Sequence, residues 1–369
     1  MCALALAVQD NDPRCQDVLC RQAQSDFDFG RHVFVDLVEI ADIIDLIHRT
    51  AVPQGPVIAR CCCHGSWCEL QHCDLDVTGT PCQDFAPNGN RQGRHGPQWR
   101  VFMAWVTMIL GMALPIVLHE NVPQFPPALL HEFLGHIYII YTMVVDCEHI
   151  GFRVISRKRR YSILYHRHKV TVTANPVDVY WHLARTLRPA IETTAFAIPD
   201  CFLADSMEIE SEIRDLCAAR RVVLAAAMQN MALLLTGPEL LRLAEYLKLW
   251  EARFNIPASL CRDAVFNLGD NPTAGYVTWS ASSGRLPGLR THGAKYWVPY
   301  LERWLTTKEL LACMGLPVYP QLAAAAGVPL VTVIPGPAAR HMLGNMMHVA
   351  SVGSVIAVAL ASCRLSRPR

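Results

Sequence analysis

The chain has 369 residues, carries a formal net charge of +1, and is 52% hydrophobic against 18% charged. That length suits two domains, and that balance excludes a globally disordered chain while neither favouring nor excluding nucleic acid as a partner. Its 15 cysteines, odd in number and consecutive at Cys61, Cys62 and Cys63, fit a reducing, intracellular compartment better than a disulfide framework. The opening "MCALALAVQDNDPRC" has no basic start and only a short apolar run, so no secretory signal is expected.

The predicted elements alternate over the first 165 residues. "ALALAVQD" reads as a strand, "DPRCQDVLCRQA" as a helix, "RHVFVDLVEI" as a strand and "ADIIDLIHRT" as a helix. "CDLDVTGTP" is a strand running into a loop. Val101 to Leu118 holds eighteen residues without a charge, the lower edge of a membrane span. Gly111 and Pro115 break that run and no basic anchor follows it, so a buried helix over Val101–Met112 and a buried strand over Pro115–Leu118 are expected, and no membrane. "HEFLGHIYIIYTMVVD" and "YSILYHR" continue the pattern. Strands alternating with helices predict a parallel sheet with ligands at the carboxyl ends of its strands.

"CCCHGSWCELQHC", residues 61–73, is rich in thiols and imidazoles, but Cys-x4-Cys with His-x7-His matches no standard zinc pairing. A thiol-rich loop between two strands is expected, and no metal ligand is assigned.

Two strand ends carry candidate chemistry. In "DVTGTPCQDF", Cys82 follows a turn stiffened by Pro81 and loosened by Gly79, surroundings that suit a thiol meeting a substrate, although one of fifteen cysteines can also fall beside a proline by accident. In "LHENVPQF", Glu120 ends the next strand, and adjacent parallel strands bring it beside Cys82. "GFRVISRKRRYSILYHRHK" then gathers Arg153, Arg157, Lys158, Arg159, Arg160, Arg167 and Lys169 with no acidic residue. Such a run is often only a solvated face; flanked by Val154, Ile155, Tyr161, Ile163 and Leu164, it reads as a strand with one buried side. A thiol, a carboxylate and a basic cluster together suit attack on an electron-poor ring held by its phosphates. An unrelated thiol enzyme would instead need a histidine base, for which His119 is the candidate.

In this order, "PCQ", "ENV" and "RKRRY", followed by "RWLTTKELLACMGLP" at 303–317 and "LGNMMHVASVGSVI" at 343–356, the chain resembles the DNA cytosine-5 methyltransferases, over roughly residues 8–170 and 285–360. The resemblance implies an α/β fold: a Rossmann-like, S-adenosylmethionine-dependent methyltransferase sheet with helices on both faces, plus a smaller target-recognition region. It implies a catalytic core from 1–168, a variable region from 169–295, and a return to the core from 296–369. It implies that Cys82 is the nucleophile, adding to carbon 6 of a cytosine flipped out of duplex DNA, while Glu120 holds ring nitrogen 3, Asn121 steadies the loops, and cations such as Arg159 favour the thiolate. S-adenosylmethionine is the implied cofactor, contacted by Asp10, Asp36, Leu37, Pro81, Asn345 and Met346. DNA is the implied partner, contacted by Gln83, Arg157, Arg160 and Arg303, in the nucleus of a eukaryote or otherwise the cytoplasm.

The departures from the family pattern carry their own expectations. Val154, Ile155 and Ser156 stand where a Pro-Gln pair usually precedes the arginines, and Met346 stands where a smaller residue is usual. The first strand and its glycine-rich Phe-x-Gly loop have no counterpart, since "ALALAVQDND" already resembles the second strand. The resemblance therefore implies a sheet truncated at its first strand, and weak cofactor binding, in a fragment of a longer enzyme or a degenerate relative that only binds DNA.

Between residues 170 and 290 no family motif is apparent. "TGPELLRLAEYLKLWEARF" predicts a helix with a capping box at Thr236 and Glu239 and an apolar stripe of Leu240, Leu243, Ala244, Leu247 and Trp250. "GDNPTAGYVTWSASSGRLPGLRTHG" predicts a loop, solvated or entering a DNA groove, with Trp279, Arg285 and Arg290.

Overall fold

The computed structural model describes residues 7–9, 16, 20, 32–34, 36–50, 57–70, 72–87, 89–194, 196–274, 277–290, 295–332 and 337–366. The chain divides into two compact units, one of residues 1–145, 158–186 and 352–369, the other of residues 146–157 and 187–351.

The first unit begins with β1 (Ala7–Gln9), β2 (His32–Phe34) and α1 (Leu37–Thr50). The strand expected over 31–40 is thus short, and Leu37–Ile40 already belong to the helix. Asp36 explains the early turn: its carboxylate Oδ1 accepts from Val38 N at 2.8 Å, capping the first helical amides. A hairpin follows, β3 (Ile58–Cys61) and β4 (Ser66–Glu69). With β1 and β2 it forms a four-stranded sheet ordered β1-β2-β3-β4, in which only β1 and β2 run parallel. The thiol-rich stretch is therefore a strand, turn and strand rather than a plain loop.

The central sheet comprises β5 (Leu75–Gly79), β6 (Ile116–Asn121), β7 (Tyr138–Val145) and β8 (Arg159–His166), ordered β5-β6-β8-β7. Between β5 and β6 lies α2 (Trp99–Met112), and between β6 and β7 lies α3 (Ala128–Leu134). β5 and β6 are parallel, as a strand, helix, strand crossover requires, but β8 is antiparallel to both β6 and β7. The expectation of a wholly parallel sheet is corrected to a mixed one: no crossover helix separates β7 from β8 within this unit, so the chain returns in the opposite sense.

Every residue of β6 is buried, because the sheet is covered on both faces. On one face Val117 and Leu164 pack with Phe102, Trp105 and Ile109 of α2 and Ile40 and Ile44 of α1. On the other, Ile116, Leu118, Ile163 and Tyr165 pack with Tyr180 of α4 (Pro176–Thr194) and with Val355 and Val358 near the carboxyl end of the chain. The expected apolar helix over Val101–Met112 is α2, which ends where Ala113 turns left-handed at φ 47° just before Leu114 and Pro115. Among the described residues no single helix is long and apolar enough to cross a membrane.

The second unit carries the helices α5 (Ser206–Arg220), α6 (Leu224–Gln229), α7 (Gly237–Phe254), α8 (Thr307–Cys313), α9 (Pro320–Ala326) and α10 (Pro337–Asn345). It also holds a small antiparallel sheet ordered β10-β11-β12, made of Phe266–Asn267, Tyr296–Val298 and Arg303–Trp304. The capping box of α7 forms as expected, but the buried side of the helix is Glu239, Tyr246 and Trp250, whereas Leu240 is 45% exposed and Leu247 36%. Trp250 of the expected stripe is buried and Leu243 packs against the same cluster, while Leu240 and Leu247 face outward and the Glu239 carboxylate is held inside, 2.9 Å from Arg220 Nη1 and against Lys295. α11 (Val349–Ala361) then leads back to the first unit, where β13 (Cys363–Leu365) pairs antiparallel with β9 (Val170–Val172).

Candidate active site

The parallel register sets Thr78 opposite His119 and Gly79 opposite Glu120, so β5 and β6 end level with each other. Thr80, Pro81 and Cys82 continue from one strand end, and Asn121 and Val122 from the other. A single network ties them. Asn121 Nδ2 lies 3.1 Å from both the carbonyl oxygen and Oγ1 of Thr80, and Asn121 Oδ1 accepts from Val122 N at 2.9 Å. Thr80 Oγ1 is also 2.7 Å from His119 Nε2. All three side chains are buried, so each bond is made where water cannot substitute for it.

His119 is the alternative thiol base weighed above, and its surroundings do not suit that work. Its ring is enclosed by Trp105 at 4.7 Å and Phe125 at 4.9 Å between centroids, with Phe102 further out. Burial pushes its pKa down to about 3, so it stays neutral and holds Thr80.

Beyond Thr80 the backbone folds into a tight loop that begins at Cys82. The Cys82 carbonyl accepts from Phe85 N at 2.9 Å and Ala86 N at 2.8 Å, Gln83 O accepts from Asn90 N at 2.8 Å, and Asp84 O accepts from Gly93 N at 3.0 Å. The buried Asp84 carboxylate accepts from Gln98 N at 2.8 Å, linking the loop to the start of α2. Two glycines permit this closeness: a Cβ on Gly89 would stand 1.9 Å from Gln83 O, and one on Gly96 would stand 2.0 Å from Asp84 Cγ. Cys82 itself is half-buried.

Glu120 faces the opposite side of the sheet from His119. Its Oε1 is 3.0 Å from Arg159 Nε, and Arg159 Nη1 donates to Lys158 O at 2.8 Å. Their side chains are 10% and 21% exposed, buried enough to hold one geometry yet open at the edge.

Cys82, Glu120, Asn121, Arg159 and Pro81 thus gather at the carboxyl ends of β5 and β6. Asp36 and Leu37 lie at the end of β2, half-buried. Asp10 lies outside the described residues. Asn345 and Met346 belong to the second unit, where α10 ends and the Met346 amide donates to Met342 O at 2.8 Å. Among the residues expected to meet DNA, Gln83 is exposed, and half-buried Arg160 donates through Nε to Pro123 O at 3.0 Å. Two others need correction. Arg157 is 3% exposed, and its Nη2 donates to Gly344 O at 3.1 Å and Met346 O at 2.6 Å, so it clamps the turn after α10 rather than facing outward. Arg303 is 7% exposed and forms a two-pronged pair with Glu309, with both bonds at 2.7 Å. A basic residue in a basic run looks alike in sequence whether its charge faces water or a buried carbonyl. Sequence reasoning missed Thr80 and Asp84; both are short polar residues flanking "PC", the one signal that could have marked them as loop anchors.

No known family model matches the sequence, and no curated protein matches it. Among solved structures, the methyltransferase EhMeth of Entamoeba histolytica is similar, with a TM-score of 0.51 and 11% identity over 96% of this chain and 89% of that one. The Dnmt2 methyltransferase of S. pombe is similar too, with a TM-score of 0.50 and 15% identity over 96% of this chain and 90% of that one. At such identities the likeness is one of fold alone: an α/β, Rossmann-like architecture.

Proposed function

We propose that this protein methylates carbon 5 of cytosine in DNA, using Cys82 as the nucleophile. The observation that carries the reading is the level register of β5 and β6, which gathers a thiol-bearing loop and the Glu120–Arg159 pair at one sheet end. The methyltransferase fold and the motif order support it.

Cytosine carbon 5 is a poor nucleophile until a group adds at carbon 6. The Cys82 thiolate forms that bond, and the ring electrons move toward nitrogen 3, where Glu120 delivers a proton and holds the ring. Glu120 is paired with Arg159 in the absence of substrate, so the proton it delivers has to be taken from solvent as the ring enters. S-adenosylmethionine, the implied cofactor, supplies an electrophilic methyl group when bound. After carbon 5 is methylated, its hydrogen passes as a proton to solvent, the freed electron pair re-forms the carbon 5–carbon 6 double bond as the carbon–sulfur bond breaks, the thiolate is returned, and nitrogen 3 gives its proton back to Glu120. Asn121 and Thr80 act earlier, by fixing where the thiol stands. Asp36, a half-buried carboxylate just after β2, suits the hydroxyl or amino donors of a nucleoside; Leu37 follows it at the start of α1, and Pro81 follows β5 of the central sheet. The target must leave the duplex to reach a thiol in such a loop.

The test is covalent trapping. Duplex DNA containing 5-fluorocytosine, with S-adenosylmethionine, is expected to form a stable thioether to Cys82, because fluorine cannot leave as a proton does. Cys82→Ser is expected to form none. Equal trapping by the serine variant would remove Cys82 from the reaction. DNA binding without any adduct would favour a silent DNA-binding relative, and trapping of the same ring only in RNA would change the substrate.

A further inference from the structure

Four metal-binding side chains meet beside the β3–β4 turn: His32 on β2, Cys61 at the end of β3, His64 in the turn and Cys68 on β4. One ligand atom from each lies within 4.8 Å of all the others. His64 Nδ1 stands 3.5 Å from Cys61 Sγ and 3.5 Å from Cys68 Sγ, and its ring centroid is 4.9 Å from that of His32. The sequence hides this set, because its fourth member comes from a strand nearly thirty residues before the others.

Hydrogen bonding does not account for the arrangement. An imidazole nitrogen has one lone pair, so it cannot accept fully from two thiols at once. His32 Nδ1, meanwhile, is buried with no hydrogen-bond partner among the described residues. A tetrahedral zinc ion does account for it. With Zn–S near 2.3 Å and Zn–N near 2.0–2.1 Å, sulfur and nitrogen ligands of one ion stand about 3.5 Å apart, the separation found at both thiols.

We propose that His32, Cys61, His64 and Cys68 form a structural zinc site. Two thiolates and two neutral imidazoles would close the coordination shell, leaving no position for substrate. Binding releases the two thiol protons. The local fold has a use for such a tie. β4 is largely exposed, Trp67 is 55% exposed, and a single register pair, Phe34 with Cys61, joins the hairpin to β2. A metal cross-link supplies what apolar burial does not, and it anchors β2 at His32, four residues before Asp36.

The experiment uses the full chain, purified under reducing conditions, stripped by a chelator and back-titrated with zinc against a chromophoric competitor. About one equivalent is expected to bind. Cobalt in its place is expected to give the intense visible bands of a tetrahedral ion together with thiolate-to-metal charge transfer. Cys68→Ser and His64→Gln change partly or fully exposed positions that tolerate substitution, and each is expected to weaken zinc binding by more than about tenfold. Cys73→Ser, outside the set, is expected to leave it unchanged. The proposal is overturned by the absence of stoichiometric zinc, by an octahedral cobalt spectrum, or by wild-type affinity in both ligand variants.

Discussion

Arg159 Nε stands 3.0 Å from Glu120 Oε1, reaching diagonally across two antiparallel strands in which Glu120 is level with Tyr161. A carboxylate at a sheet end is thereby oriented by a cationic partner before any substrate arrives.

If the pair acts as a unit, its members cannot be additive. Glu120→Gln is expected to lower kcat by about 10²–10⁴-fold, the usual worth of a positioned acid. Arg159→Ala is expected to cost somewhat less. The double variant is expected to match Glu120→Gln alone, as residues acting together do. Single-turnover methylation rates decide it; a double variant equal to the product of the two losses would mean that they act separately.

His119 predicts a pH dependence of stability. Its pKa is pushed down to about 3 by burial, against an ordinary value of 6.5, so the folded state excludes a proton that the unfolded state binds. Its stabilising contribution is therefore complete above pH 6.5 and is lost as pH falls toward 3, by roughly 2–3 kcal/mol between pH 7 and 4. Urea unfolding across that range is expected to show this slope, and His119→Gln, which still has an oxygen and an amide for Thr80, is expected to flatten it. An unchanged slope in the variant would assign the acid lability to other groups.

Gly96 tests the packing of the thiol loop. Its φ of −81° suits any residue, so a substitution there is opposed by space alone. Gly96→Ala would press a methyl group to 2.0 Å from Asp84 Cγ and is expected to cost about 1–3 kcal/mol, with slower trapping of 5-fluorocytosine. Asp84→Ala removes the obstacle, so adding Gly96→Ala to it is expected to cost little more. Differential scanning calorimetry of the three variants measures the coupling.

Arg157 separates structural from nucleic-acid-binding charge. Because it is 3% exposed and bound to two carbonyl oxygens, Arg157→Ala is expected to lower thermal stability without changing the salt dependence of DNA binding. Lys158→Ala, at the exposed neighbouring position, is expected to reduce the slope of log K against log salt by up to about one. The reverse pattern, measured by fluorescence anisotropy, would put Arg157 at a phosphate.

The strand ends were legible in sequence because their residues obey strong local rules. Pro81 stiffens a turn, Glu120 and Asn121 close an unbroken apolar run, and both facts survive in any context. What was not legible depended on partners far away in the chain. The direction of β8 could not be read from "YSILYHR", since alternation describes a strand but not its neighbours. The burial of Arg157 depended on carbonyls nearly 190 residues later. The burial of Glu239 on α7 depended on Lys295 and Arg220 meeting its carboxylate, so only Trp250 and Leu243 of the apolar stripe pack inward while Leu240 and Leu247 do not. The length of the strand before Asp36 was overstated because "VDLVEI" is as apolar in a helix as in a strand, and the capping carboxylate settled the matter.

One face of the central sheet is closed by residues made very late. Tyr165 Oη donates to Ala359 O at 2.8 Å across 194 positions of chain, and Val355 and Val358 complete the cluster around Ile116 and Ile163. At ribosomal speeds of about 5–20 residues per second, that face waits roughly 10–40 s after Tyr165 is added for its lid to be translated. The nascent chain spends that interval with the Ile116, Ile163 and Tyr165 face of its sheet uncovered by Val355 and Val358, an apolar surface of the kind that makes partly made chains prone to aggregate.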